Sequence, residues 1–159
     1  MYNRWVALSE KFTRLTIPNH NETRVIMYIK AQITKLLVDF FDDDFRRIDH
    51  ALAVLHFAEK IGKSYAGVDQ ELLVAVALLH DVGIKPSEEK WGYNTGKTQE
   101  EFGPAVAIEL LQSSTFSKEK LIKVGDIIGN HHSVSRFDYI ELEILKQADA
   151  KVNQLESSQ

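Results

Sequence analysis

The 159-residue chain has no cysteine, only three prolines and eight glycines, and no long apolar run. Without cysteine there are no disulfides and no thiolate ligands, so any metal bound here must be held by His, Asp, Glu and water. The same absence suits a cytoplasmic protein, which is the location expected. The longest apolar stretch, Leu72 to Leu79, is far too short to span a bilayer. Met1 to Thr16 is broken by Arg4, Glu10, Lys11 and Arg14 and does not read as a signal peptide. No membrane partner is therefore expected. Charge of one sign is also lacking: the net charge is −4, which gives no basic field to attract nucleic acid, so stable nucleic-acid binding is not expected either. With 44% apolar and 26% charged residues, the balance is that of an ordinary globular protein. The length suits one domain, 1–159, with a core over about 20–155. A homodimer remains open.

Alternating strand patterns are scarce and helical spacing dominates, which makes the fold class all-α. The apolar periodicity predicts helices at roughly 20–40, 44–63, 69–81, 98–113, 117–132 and 138–155, with a further N-terminal helix before Pro18. Asp69, Ser117 and Asp138 are the expected N-caps of the third, fifth and sixth of these. Gly83 to Lys97, with Pro86, Gly92, Asn94 and Gly96, reads as a long loop with at most one helical turn around Ser87 to Trp91. Asp42-Asp43-Asp44 reads as a solvated helix start rather than a metal site, because carboxylates suit the positive end of a helix. The tail Glu156 to Gln159 is expected to fray.

Residues at i, i+3, i+4 and i+7 share one side of a helix. His50 lies with Val54, Phe57 and Ile61 and so faces the core, and Arg47 is one turn away. His56 lies with Lys60 and Lys63 and reads as solvated. The stretch Leu72 to Leu79 is apolar on all sides, the mark of a buried helix, and it ends abruptly in His80-Asp81. A buried carboxylate is costly unless compensated, and a metal cation would compensate it. The plainer alternative is a helix-terminal His with a solvated Asp. Asp149 lies with Leu142, Leu145 and Val152, and its alternative is a buried salt bridge. His131 lines up with Val124 and Ile128, while His132 turns away, so His131 is the better pocket candidate; a core histidine bonded to backbone is its alternative. Two imidazoles and two carboxylates on three helices form a mixed N/O set that suits one divalent cation with room for water.

His50, then His80-Asp81, then Asp149, in this order and on helices, resembles the HD-domain superfamily of metal-dependent phosphohydrolases. The stretches "RRIDHALAVLHFAEKIG", "VAVALLHDVGI", "IIGNHHS" and "KQADAKVN" carry the likeness, from about Arg46 to Asn153. The segment "HDVGIKPSEEKWGYNTGKTQEEFGPAVAIELL" is similar to that of small single-domain bacterial members. The resemblance implies a compact HD-domain bundle of six or seven helices, with His50, His80, Asp81 and Asp149 as metal ligands and hydrolysis of a phosphate ester. One departure stands out. Two-metal relatives tend to carry a histidine four residues before the helix glycine, here Gly103, and this chain has Gln99 there. A single divalent metal is therefore expected, with its identity (Mn, Mg, Co, Ni, Fe or Zn) left open.

A metal lowers the pKa of its water and polarises a phosphoryl oxygen, and phosphoryl transfer otherwise needs positioning and charge. The expected substrate is a nucleotide or another small phosphorylated molecule. Arg47, Lys85 and His131 are the expected substrate contacts, although Lys85 and Lys97 also read as solvated loop lysines. Asp81 and Glu100 are the expected catalytic carboxylates, with Glu88 and Glu89 as further candidates for the base. Trp91 or Tyr93 is expected to cover the pocket partly, and His20 and His56 to be dispensable. Two alternatives are an HD-type di-iron oxygenase and a non-catalytic, metal-stabilised sensor or interaction module.

Overall fold

Apolar residues at helical spacing organise the computed structural model, which describes residues 20–158, into seven α-helices. These are α1 (His20–Phe41), α2 (Phe45–Gly62), α3 (Gln70–Leu79), α4 (Ile84–Trp91), α5 (Gly96–Leu111), α6 (Lys118–Ile128) and α7 (Ile140–Glu156). The described residues contain no strand. None of their helices is long and apolar enough to cross a membrane. The helix expected before Pro18 lies outside the described residues.

The axis of the bundle is α3. All eight residues from Leu72 to Leu79 are buried, because α1, α2, α6 and α7 cover the helix from every side. Ile33 and Leu37 of α1, Val54 of α2, Ile127 of α6 and Leu142 of α7 belong to the same core. Burying each large aliphatic side chain contributes about 1.5–3 kcal/mol, and truncating one such as Leu73 to Ala would cost about 2–5 kcal/mol. Asp69 caps the start of α3 by accepting from Leu72 N at 3.1 Å, and the backbone N–H of Asp69 in turn donates to Glu141 of α7 at 2.7 Å. This fixed axis sets where His80 and Asp81 emerge.

The segment read as a loop is instead mostly helix α4. Pro86, which suggested a break, sits in the first turn, where a backbone N–H has no helical partner in any case. The first helical bond is the next one, Ser87 N to Gly83 O at 3.2 Å. The helix ends at Gly92, whose N–H donates to Glu88 O at 2.8 Å. Gly83 holds α4 tightly on α5: a Cβ there would stand 2.4 Å from the Gln99 carbonyl oxygen and 2.7 Å from Gly103 N.

Three boundaries also move. α5 begins two residues early, because Thr95 and Thr98 form a reciprocal capping box. α6 stops at Ile128, with Gly129 as C-cap, so His131 and His132 lie in the turn that follows rather than on the helix. Asp138 is not the cap of α7: Tyr139 takes that position without a side-chain cap bond. Its ring stacks on Phe137 and its hydroxyl donates to Asp126 at 3.1 Å, so aromatic packing sets the entry into α7. α7 runs to Glu156, the first residue of the tail expected to fray.

Candidate metal centre

His50 projects from the second turn of α2, His80 and Asp81 follow α3, Asp149 projects from α7, and His131 follows α6. The fold brings all five together. His50 Nε2 is 3.1 Å from Asp149 Oδ1 and 3.8 Å from Asp81 Oδ2. His80 Nε2 is 3.5 Å from Asp81 Oδ2 and 3.7 Å from Asp149 Oδ1. His131 Nε2 is 3.7 Å from Asp81 Oδ1. Asp81 thus stands among three imidazoles.

The rings are oriented from behind. His80 Nδ1 donates to Ala77 O at 2.9 Å, and His131 Nδ1 donates to Ile128 O at 2.6 Å. Both leave Nε2 turned toward the carboxylates. His80 Nε2 and His131 Nε2 are buried and have no hydrogen-bond partner. Buried polar atoms without a partner are rare, since each costs about 1–3 kcal/mol. Unpartnered imidazole nitrogens with carboxylate oxygens within 4 Å form a donor set that suits a divalent cation. The donor atoms of His50, His80 and Asp81 all lie within 4.8 Å of one another, and those of Asp81, His131 and His132 do so as a second, overlapping group. The residues present therefore fit a metal ion.

The electrostatics agree. Burial works to lower the pKa of His80, but Asp81 and Asp149 outweigh it and raise the value to about 9. Burial works to raise Asp81, yet the three surrounding imidazoles hold it down at about 2. Asp149 is likewise held well below the usual carboxylate range: burial opposes this, and the hydrogen bond from His50 leads the groups that overcome it. The cluster draws in positive charge, supplied by protons when no metal is bound.

The other expected residues lie in two further arrangements. Glu100 accepts from His132 N at 2.9 Å and Ser133 N at 2.7 Å through one oxygen, and from the Ser133 hydroxyl through the other. All three of these hydrogen bonds go to the turn that carries His131 and His132. Lys85 is directed to α1, where its Nζ donates to Phe40 O at 3.0 Å beside the Phe40 ring. That bond caps the end of α1.

Arg47 is bound by Asp44 and by Glu88, each at 2.7 Å. Asp44 is thus a helix cap and a partner of Arg47, not merely a solvated acid. From Glu88 the contacts continue. Asn94 Nδ2 donates to Glu88 Oε1 at 2.6 Å, Gln99 Nε2 donates to Asn94 Oδ1 at 2.9 Å, and Gln99 Oε1 accepts from His132 Nε2. The His132 ring lies so close over Gly96 that a Cβ there would meet its Cγ at 2.9 Å. Gln99 therefore holds His132. Trp91 and Tyr93 are half-exposed, and the nearest cation over Trp91 is Lys90 at 4.7 Å. His20 and His56 are exposed, and His56 packs edge-on against Phe57.

Sequence reasoning missed Glu156, whose Oε1 lies 3.0 Å from His50 Nδ1. The signal was available, since Glu156 is seven residues after Asp149 on the same helix face. Asn94 and His132 were missed because their roles depend on how α4 and the turn after α6 fold.

No curated protein and no solved structure matches the chain. The HD domain family model matches residues 47–153, a span that takes in His50, His80, Asp81, His131 and Asp149. With the match covering most of its length, and with these residues gathered at one point, the chain belongs to the HD-domain family.

Proposed function

We propose that this protein is a metal-dependent phosphohydrolase acting on a small phosphorylated molecule, with one divalent cation among His50, His80, Asp81 and Asp149. The observation that carries this reading is the pair of buried, unpartnered Nε2 atoms on His80 and His131 beside two carboxylates. When bound, the ion supplies Lewis acidity toward a phosphoryl oxygen and an acidified water. His50, His80, Asp81 and Asp149 hold that charge in place, and Ala77 O and the α3 axis keep the His80 ring from turning. Arg47 lies one turn from His50 on α2. An incoming phosphate would compete with Glu88 for its guanidinium. The net charge of −4 favours a small substrate over a nucleic acid.

A single ion is favoured because Gln99 stands where two-metal relatives carry a histidine, and the second donor group, Asp81, His131 and His132, shares Asp81 with the first. That second group is also the one observation favouring a dinuclear reading, including the two-iron oxygenase. The test is a panel of phosphate esters assayed with Mn²⁺, Mg²⁺, Co²⁺ and Ni²⁺, together with elemental analysis. The expected result is turnover of at least one ester with one metal per chain, lost in His80→Ala. Metal binding with no ester hydrolysed would overturn the activity, and two irons per chain would transfer the assignment to the oxygenase.

A further inference from the structure

Each imidazole of the cluster is held through Nδ1, but not by the same kind of group. His80 and His131 use a backbone carbonyl three residues earlier, Ala77 O and Ile128 O. Both stand at or beyond helix ends, where carbonyls are free. His50 is inside α2, where carbonyls are used by the helix itself. Its Nδ1 instead meets Glu156 Oε1 at 3.0 Å.

We propose that Glu156 is the positioning residue for His50: its carboxylate accepts the Nδ1–H, turns Nε2 toward the metal site, and places a negative charge behind the ring. The inference rests on the metal-site reading above and extends it to a residue beyond Asn153, where the family match ends. A carboxylate behind a ligating imidazole fixes the tautomer and raises the basicity of the other nitrogen.

Two further observations support the assignment. Asp149, Asn153 and Glu156 recur at spacings of four and three along α7 and so share one face. Asn153 Nδ2 donates to Asp149 Oδ1 at 2.9 Å, so this face orients a ligand carboxylate with one residue and a ligand imidazole with the next. Glu156 also breaks a local rule. It is an acid in the last turn of a helix, where the backbone dipole disfavours negative charge. The ring of His50 accounts for its presence there.

The test is Co²⁺ binding, followed by calorimetry and by the visible absorption of the bound ion, in the wild type, Glu156→Ala, Glu156→Gln and Glu156→Asp. Glu156→Ala is expected to weaken Co²⁺ binding by about 10–100-fold and to shift the absorption bands. Glu156→Gln keeps an acceptor but not the charge and should fall between Ala and wild type. A wild type that binds Co²⁺ with Glu156→Ala binding equally well would overturn the role of Glu156 and leave the metal site standing. A wild type that binds no divalent ion would overturn the site itself. Should the alanine variant fail to fold, Glu156→Gln carries the test, and binding indistinguishable from wild type would refute the contribution of the charge.

Discussion

On the α3 side of the cluster, His80 Nε2 is buried without a partner and two carboxylates stand within 4 Å of it. On the α5 side, Gln99 and Glu100 have each side-chain oxygen occupied: by His132, by two backbone N–H groups and by the Ser133 hydroxyl. Both sides are polar and both carry residues that sequence reasoning could assign to a metal. What separates them is satisfaction. A donor or acceptor that already has its partner gains little from an ion, whereas one left unpaired in a dry place gains much. The side with unpaired nitrogens is where we place an ion, and the satisfied side holds the turn that carries His131.

The contrast can be tested by attacking each side. The largest effect is expected from Asp81→Ala, which removes the carboxylate shared by the three imidazoles. With metal at about a hundred times its dissociation constant, binding should stabilise the wild type by about 2.7 kcal/mol and raise its melting temperature by several degrees. Asp81→Ala should show no such rise in a thermal melt with and without metal. A rise of wild-type size would place the ion elsewhere.

The next effect is on pH. His80 has its pKa raised from 6.5 to about 9, so in the metal-free protein it carries a proton that a metal must displace. That proton stabilises the metal-free fold fully below 6.5, and the contribution is lost as pH rises through about 9. Metal affinity should run the opposite way, tightening by up to about tenfold per pH unit for each proton displaced over this window and levelling above it. Calorimetric titrations across the window check the slope. A flat profile would show that no proton is displaced.

The satisfied side should respond differently. Glu100→Ala removes three accepted hydrogen bonds from the His132–Ser133 turn and should cost about 1–3 kcal/mol in urea unfolding. Its effect on metal affinity should be smaller than that of Asp81→Ala, because Glu100 reaches the cluster only through the turn. Equal losses from the two variants would erase the distinction drawn here. The smallest effect is expected from Glu88→Gln, whose ion pair with Arg47 is partly exposed: a change within about 1 kcal/mol, read by the same unfolding experiment.

Much of this was legible in the sequence. The wholly apolar stretch Leu72 to Leu79 could only be a buried helix, and that fixed where His80 and Asp81 would stand. The faces of His50 and Asp149 followed from spacing of three and four residues. What escaped has physical reasons. Pro86 looked like a break because sequence alone does not show whether a proline falls in a first turn, where it costs no bond. His132 was set aside by a helical projection that ceased to apply when α6 ended at Ile128. Glu100 and Lys85 were chosen for their charge and position near the motif, and nearness along the chain did not reveal their hydrogen bonds to the His132–Ser133 turn and to Phe40 O. Glu156 was passed over because it lies in the tail expected to fray, so the face of Asp149 was not followed beyond Val152.

The contacts running from Arg47 to His132 carry one more consequence. An amide side chain has two ends of nearly the same shape, and an imidazole has two tautomers, so Asn94, Gln99 and His132 are each ambiguous taken singly. Glu88 is not, because an ionised carboxylate can only accept. Asn94 must therefore offer it the NH₂ end, which turns the Asn94 oxygen to Gln99. Gln99 must then use its own NH₂ there, which turns its oxygen to His132, and His132 must carry its proton on Nε2. One acid on α4 thus dictates the polarity of three side chains and the address of a single proton beside the cluster. Chemical information passes between helices here without any atom having to move.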